Sequence, residues 1–420
     1  MAYTYNISTS KEDKKSTICL STCHILFSII NLFVSTFLVA HIYSQTANIF
    51  DYAVNVGIYN LTTYAVMMLA YFLFSLWVDK SNRIWCYRLA NLITAGLVVF
   101  TIFYGENLAQ YVWLAGVLYG LSHAAYYASY NVLKQEMVSR NTIGKYTLIL
   151  EVLTKIVNIV FPILLGMLIE VSTFATVAIY VCVICLIQIF ITFFINAQRP
   201  AGSGFNVVEY IKQIKQNPEF CKKIKIVYLI CLFYGLTSIV SSLASIFIMV
   251  EFGSSFSLGA ITSVGAVASI ITVIALSKFS HPGDREWIYI LSAILILVSA
   301  ALFLIIPNNI TVIVYNIVLT LGNAVNSLTF ELYRNKNLKE AGLYQYIAEH
   351  QCVVETIFQI VRCLSFTLLI LFALIKNYLI FQIMFAVFVT VFSLTSIMIM
   401  RYETKVYEEN NTEQSDQNKQ

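Results

Sequence analysis

Charge is in short supply in this sequence. Asp, Glu, Lys and Arg make up 11% of the 420 residues and hydrophobic residues 59%, a charged share about half the usual, which excludes a soluble globular protein. The chain reads instead as an all-α polytopic membrane protein. Cations are also missing from one set of loops. Of the 26 Lys and Arg, only Lys376 falls among the loops that hold Asp51, Glu106, Glu170 and Glu251. Those loops are therefore placed outside, and both termini in the cytoplasm of a multi-pass cytoplasmic-membrane protein. No Gly-x-x-x-x-Gly-Lys-Ser/Thr sequence occurs, which excludes a phosphate-cradling loop and leaves an ion or solute gradient as the energy source.

The nine cysteines are scattered, and the one CxxC, Cys182 and Cys185, sits in the apolar run 180–191. Nothing there would hold a metal or activate a thiol, so ordinary buried thiols are expected. No histidine pair has metal-ligand spacing, and neither a metal nor another cofactor is expected. Acids and histidines do not cluster at a membrane face, which argues against a membrane-embedded enzyme. The partners expected are a small-molecule substrate, the lipid bilayer and protons, with no nucleic acid and a monomeric state.

Apolar stretches are what the chain has in abundance. Twelve, each near the ~20 residues needed to cross a bilayer, run over 18–43, 52–78, 84–104, 109–133, 147–171, 174–196, 226–250, 256–278, 287–306, 309–333, 350–375 and 377–400. The long interruption at 197–225 carries Arg199, Pro200, Gly202 and Gly204, then Lys212, Lys215, Lys222, Lys223 and Lys225. Its middle, Val207 to Ile214, has apolar residues at helical spacing and is expected to lie on the cytoplasmic membrane surface as an amphipathic helix. The division is a cytoplasmic tail over 1–17, a six-helix bundle over 18–196, a linker over 197–225, a second bundle over 226–401 and a disordered cytoplasmic tail over 402–420. The tail ahead of the first span, with Lys11-Glu12-Asp13-Lys14-Lys15, does not read as a cleaved signal.

Six of the spans carry a polar stripe. His24, Ser28, Asn31 and Ser35 recur at i, i+4, i+7 and i+11, within roughly a 60° arc of a helix. Tyr234, Ser238, Ser241 and Ser245 repeat the spacing in the seventh span, His123, Tyr127, Tyr130 and Lys134 in the fourth, and Asn323, Ser327, Phe330 and Arg334 in the tenth. The fifth span is the most telling. Entered from near Lys145 at ~1.5 Å per residue, it puts Glu151 about 9 Å and Lys155 about 15 Å deep, with Asn158 and Pro162 on the same side. Ionised groups at such depth cost roughly 2.5–3.5 kcal/mol each, so protein or a water-filled passage is the expected neighbour. An i,i+4 Glu151–Lys155 pair, a fixed ion pair or a switch, would partly neutralise itself. Glu355, Gln359, Arg362 and Phe366 repeat this pattern in the eleventh span, as two equivalent halves would. The plainer readings are close helix packing for the serines and a hydrogen-bonded core role for His24 and His123.

Twelve spans in two halves around a basic linker resemble the major facilitator superfamily over residues 18–401. The sequence Ser75-Leu76-Trp77-Val78-Asp79-Lys80-Ser81-Asn82-Arg83 is similar to that superfamily's cytoplasmic signature: Asp79, Lys80 and Arg83 match, while Ser75 and Asn82 replace glycines. The resemblance implies a cytoplasmic gate, in which the Asp79 carboxylate docks on the positive end of a helix of the other half. Phe161 to Gly166 resembles the Gly-Pro-rich fifth helix of exporters, keeping Pro162, a kink position, and Gly166. The fourth-helix arginine linked to proton coupling is absent, because Gly116 stands where it belongs relative to Gly120. Tyr126-Tyr127-Ala128-Ser129-Tyr130-Asn131-Val132-Leu133 is similar to a poorly characterised bacterial branch, the YqgE-like transporters.

The resulting expectation is a secondary transporter, not an enzyme, that moves a small organic solute by alternating access. The aromatic residues and the exporter-like fifth helix favour export of an amphipathic compound, with protons as a candidate coupling ion although the missing arginine argues against conventional drug–proton antiport. Uptake of a sugar, nucleoside or amino-acid-like solute is the alternative, and a transport-inactive sensor or scaffold of the same fold is a third. Glu151, Glu355 and His123 are the groups able to titrate within the spans. Lys155, Asn158, Gln359, Arg362, Tyr127, His24, Asn31 and Tyr234 complete the expected pathway.

Overall fold

The computed structural model describes residues 11–80, 83–138, 143–196, 204–279, 286–334 and 346–417, and every regular element among them is helical. Among the described residues, eleven helical stretches are long and apolar enough to cross a membrane. The expected fourth span is α5, Val112–Met137, whose 26 residues suffice in length. Its row of Tyr119, His123, Tyr126, Tyr127 and Tyr130 keeps it out of the apolar set. Twelve helices of crossing length thus stand where the sequence puts twelve spans.

The chain divides into two compact units, 1–45 with 59–205 and 46–58 with 206–420. In unit 1, α1 (Lys11–Leu32) passes through a π-helical turn at Phe33–Phe37 into α2 (Leu38–Tyr43). Then come α3 (Ile49–Lys80), α4 (Arg83–Tyr104), α5, α6 (Ile143–Val171) and α7 (Phe174–Thr192). Helix α4 packs on α5 and α7, and α1 packs on α5, α6 and α7. Their shared core includes Cys23, Phe27, Tyr87, Ala125, Tyr126 and Leu133. Helices α3 and α5 cross at Gly116 and Gly120, spaced as a small-xxx-small contact. A Cβ at Gly116 would stand 2.5 Å from the Tyr59 carbonyl, and one at Gly120 would crowd the Thr63 carbonyl. An arginine therefore cannot occupy position 116 while this crossing stands.

Unit 2 begins with α8 (Val207–Gln216) and α9 (Pro218–Leu236), which turns at Thr237 into α10 (Ser238–Phe252). Helices α11 (Ser255–Phe279), α12 (Glu286–Ile305), α13 (Asn309–Arg334), α14 (Ile347–Leu374) and α15 (Tyr378–Gln417) follow. Gly253, at φ +61°, closes α10 in the left-handed conformation that glycine adopts without strain. Helix α13 packs on α10, α11 and α12, and α9 on α14 and α15.

Two expected boundaries differ. Residues 46–58, expected in the first bundle, belong to unit 2, because Asp51 pairs with Lys376 at 3.3 Å and Gly57 lies against Ile370. The last helix continues to Gln417 through the stretch expected to be disordered, which contains neither Gly nor Pro to stop it. Helix α8 forms as expected, with Tyr210 and Ile214 buried against α9 and α14.

Candidate functional site

In unit 1 the polar stripes of α1 and α5 meet. Asn31 Oδ1 accepts hydrogen bonds from the Tyr119 hydroxyl at 2.6 Å and from His123 Nε2 at 2.8 Å. With the amide oxygen so placed, the proton of a neutral His123 resides on Nε2. One turn away, His24 Nδ1 lies 2.9 Å from the Tyr126 hydroxyl, and the His24 ring stacks on Tyr130 at 4.4 Å between centroids. Phe27 stacks on Tyr126, and Tyr127 stands edge-on to both Phe27 and His123. Asn31, His123 and Tyr127 remain half-exposed while Tyr126 and Tyr130 are buried. The result is a ring-lined set with a few directed polar atoms.

Helix α6 carries the second part. Glu151 is exposed, Lys155 and Asn158 are half-buried, and Pro162 and Gly166 are buried. Among the described residues no ion pair joins Glu151 to Lys155, so the expected self-neutralising pair is not formed. At ~100° per residue, Glu151, Lys155 and Asn158 share one narrow arc. The strongly exposed apolar residues Ile149, Val152, Ile156, Val160, Ile163 and Met167 centre roughly 140° away from it. Pro162 has no N–H to offer the Asn158 carbonyl, which leaves a backbone acceptor within the polar arc.

In unit 2, α14 repeats that layout. Exposed Ile360, Leu364, Leu371 and Leu374 again lie roughly 140° from Glu355, Gln359 and Arg362. Here the polar arc is internally bonded. Gln359, fully buried, donates from its amide nitrogen to Glu355 at 3.1 Å and accepts from Arg362 at 3.4 Å through its oxygen. The amide dipole is thus aligned with a carboxylate at one end and a guanidinium at the other. Arg362 also lies over the Phe358 ring at 5.3 Å, and Tyr234 meets the same ring edge-on at 6.0 Å. Tyr234, expected on the pathway, is thereby brought to Arg362 through Phe358.

At the signature loop, Asp79 Oδ2 accepts the N–H of Phe205 at 2.9 Å. The donor belongs to the chain just ahead of α8. Arg83 is buried; the side chain of Lys80 and most of the corresponding loop 278–285 lie outside the described residues. Sequence reasoning missed Tyr119, although it stands four residues before His123 and so on the same helix face. It also missed the partner of Lys376, since nothing local links positions 51 and 376. None of the nine cysteines is in a disulfide, Cys182 and Cys185 included. Among the described residues no three His, Cys, Asp or Glu converge as a metal site.

A sequence profile of the Major Facilitator Superfamily matches residues 17–341. A curated relative, the uncharacterized protein YqgE of Bacillus subtilis (strain 168), is 21% identical over 353 residues, covering 82% of this chain and 79% of its own. Among solved structures, the nucleoside transporter NupG aligns at TM-score 0.61 and 12% identity over 93% of this chain and 100% of its own. A bacterial homologue of the iron transporter ferroportin, in an inward-facing state, aligns at TM-score 0.62 and 12% identity over 95% of this chain and 100% of its own. At these identities it is the TM-scores that show a shared fold, and the fold alone. With its profile match spanning most of the sequence and its helices arranged as in these transporters, the chain belongs to the major facilitator superfamily.

Proposed function

We propose that this protein is a secondary active transporter that exports a small, ring-bearing amphipathic solute across the cytoplasmic membrane in exchange for protons. The observation that carries this reading is the layout shared by α6 and α14. Each presents an apolar arc suited to lipid and, well away from it, an arc of ionisable and amide groups. That separation avoids the roughly 2.5–3.5 kcal/mol cost of each ionised group in hydrocarbon and supports an aqueous path along the polar arcs. The rings of Phe27, Tyr126 and Tyr127, beside the directed atoms of Asn31 and His123, suit a flat solute with a few polar substituents. Glu151 and Glu355 are the groups assigned to carry the coupled proton.

A thermal-shift screen of the purified protein separates the possibilities, since a bound solute stabilises by mass action. Ring-bearing amphipathic compounds are expected to raise the melting temperature and then to show counterflow in proteoliposomes. Stabilisation by nucleosides or sugars alone would favour the second reading, uptake of a hydroxyl-rich solute, for which the hydrogen-bonding set of Asn31, Tyr119 and His123 is the supporting observation. Binding without counterflow would point to a scaffold that has kept only the fold. Neutralising Glu151 (Glu151→Gln) is expected to lower exchange and to shift its pH dependence.

A further inference from the structure

We propose that α8 and the start of α9 form a docking surface for anionic phospholipid headgroups. The argument begins with the register of α8. Tyr210 and Ile214 face inward, and the Tyr210 hydroxyl sits 2.7 Å from Nδ1 of the fully buried His350 at the start of α14. Asn206, the N-cap of α8, gives its backbone N–H to the buried Glu349 at 3.0 Å. These bonds fix which side of the helix looks outward. At ~100° per residue the outward side gathers Val208, Ile211, Lys212 and Lys215. Val208 is 78% exposed and Ile211 40%.

Two apolar side chains beside two lysines make the pattern of a helix lying at a membrane interface. The neighbouring helix carries a second stripe of lysines and apolar residues. On α9, Lys222, Lys225, Leu229 and Leu232 fall on one stripe, all exposed. The two leucines lie within a membrane-spanning stretch that begins at Phe220. Their stripe therefore faces acyl chains, and the lysines one and two turns nearer the helix start reach the headgroup level. From 206 to 225 the chain carries five lysines against two glutamates. Of those acids, Glu209 is already engaged by Gln213 at 2.7 Å and approached by Lys212 at 4.0 Å. An exposed basic helix face, together with lysines that lead into a lipid-facing stripe on the next helix, fits an anionic leaflet, whose potential attracts each nearby lysine.

The test uses the full chain in detergent micelles and follows thermal unfolding with added dioleoylphosphatidylglycerol, dioleoylphosphatidylcholine or inorganic phosphate. Phosphatidylglycerol is expected to raise the melting temperature by about 3–5 °C at low salt, and this rise should vanish near 0.5 M NaCl as screening shortens the reach of the charges. The other two additives should do neither. A chain with Lys212, Lys215, Lys222 and Lys225 all changed to Gln should lose the rise, while the four Lys→Arg changes keep it. Val208→Ser with Ile211→Ser should reduce it. The proposal is overturned if wild-type protein gains nothing from phosphatidylglycerol, if the glutamine variant keeps the full rise, or if inorganic phosphate reproduces it.

Discussion

Gly116 and Gly120 hold no side chain because α3 passes where one would be, with the Tyr59 and Thr63 carbonyls inside contact distance of a built Cβ. This gives a physical reason for the missing fourth-helix arginine. Gly116→Ala is expected to destabilise by about 1–3 kcal/mol through overpacking, read as a lower melting temperature. Gly96→Ala, where nothing lies within 4 Å, should be neutral or stabilise by up to about 1 kcal/mol. Gln359 makes a sharper test. Gln359→Leu removes both bonds of a fully buried amide that lies against Glu355 and Arg362. A stability loss of about 1–3 kcal/mol and a large fall in counterflow are expected, whereas retention of both would leave the amide without a part in the mechanism. Glu355, Gln359 and Arg362 were legible in the sequence because they share one helix and its spacing. The Asn31–Tyr119–His123 set was only half legible, since its members come from two helices and no local pattern states which faces meet.

The helices themselves were legible where hydropathy is high and less so where tertiary contacts decide. Helix α5 was found although its tyrosines and histidine weaken its apolar signal, and the structure covers it so well that Trp113 is its one strongly exposed large apolar residue among those described. The turn of α9 into α10 at Thr237 was not foreseen; Gly235 stands just ahead of it, and the Thr237 hydroxyl bonds back to the Tyr234 carbonyl at 2.7 Å. Helix α8 was legible only in part. Its periodicity announced an apolar face but not what would cover it, and α9 and α14 do. Tyr210→Phe removes the hydroxyl next to His350 while keeping the ring. Faster amide exchange across 207–216 and a loss of about 1–3 kcal/mol are expected; unchanged exchange would mean that packing alone holds α8.

At the level of the complete chain, the six-plus-six repeat was legible, yet the units do not part at the linker alone. The first turns of α3, up to Ile58, cluster with unit 2, and the rest of the same unbroken helix belongs to unit 1. Lys376, the lone cation of its loop set, holds Asp51 at 3.3 Å, and Phe50 meets Phe381 edge-on. Both charged side chains are about half exposed, so the pair contributes under about 1 kcal/mol to stability. Its effect should appear in transport rate instead. If the transport cycle requires these turns of α3 to leave unit 2, altering the pair shifts how readily they do so, while the fold tolerates the change. Asp51→Lys is expected to slow counterflow through like-charge repulsion with Lys376, with a melting temperature near wild type. The exchange Asp51→Lys with Lys376→Asp should restore the rate. Lys376 sits at φ 53°, a left-handed conformation that Asp tolerates better than most residues, so backbone strain does not confound the swap. A double variant as slow as the single one would show that the attraction at this position does not govern the cycle.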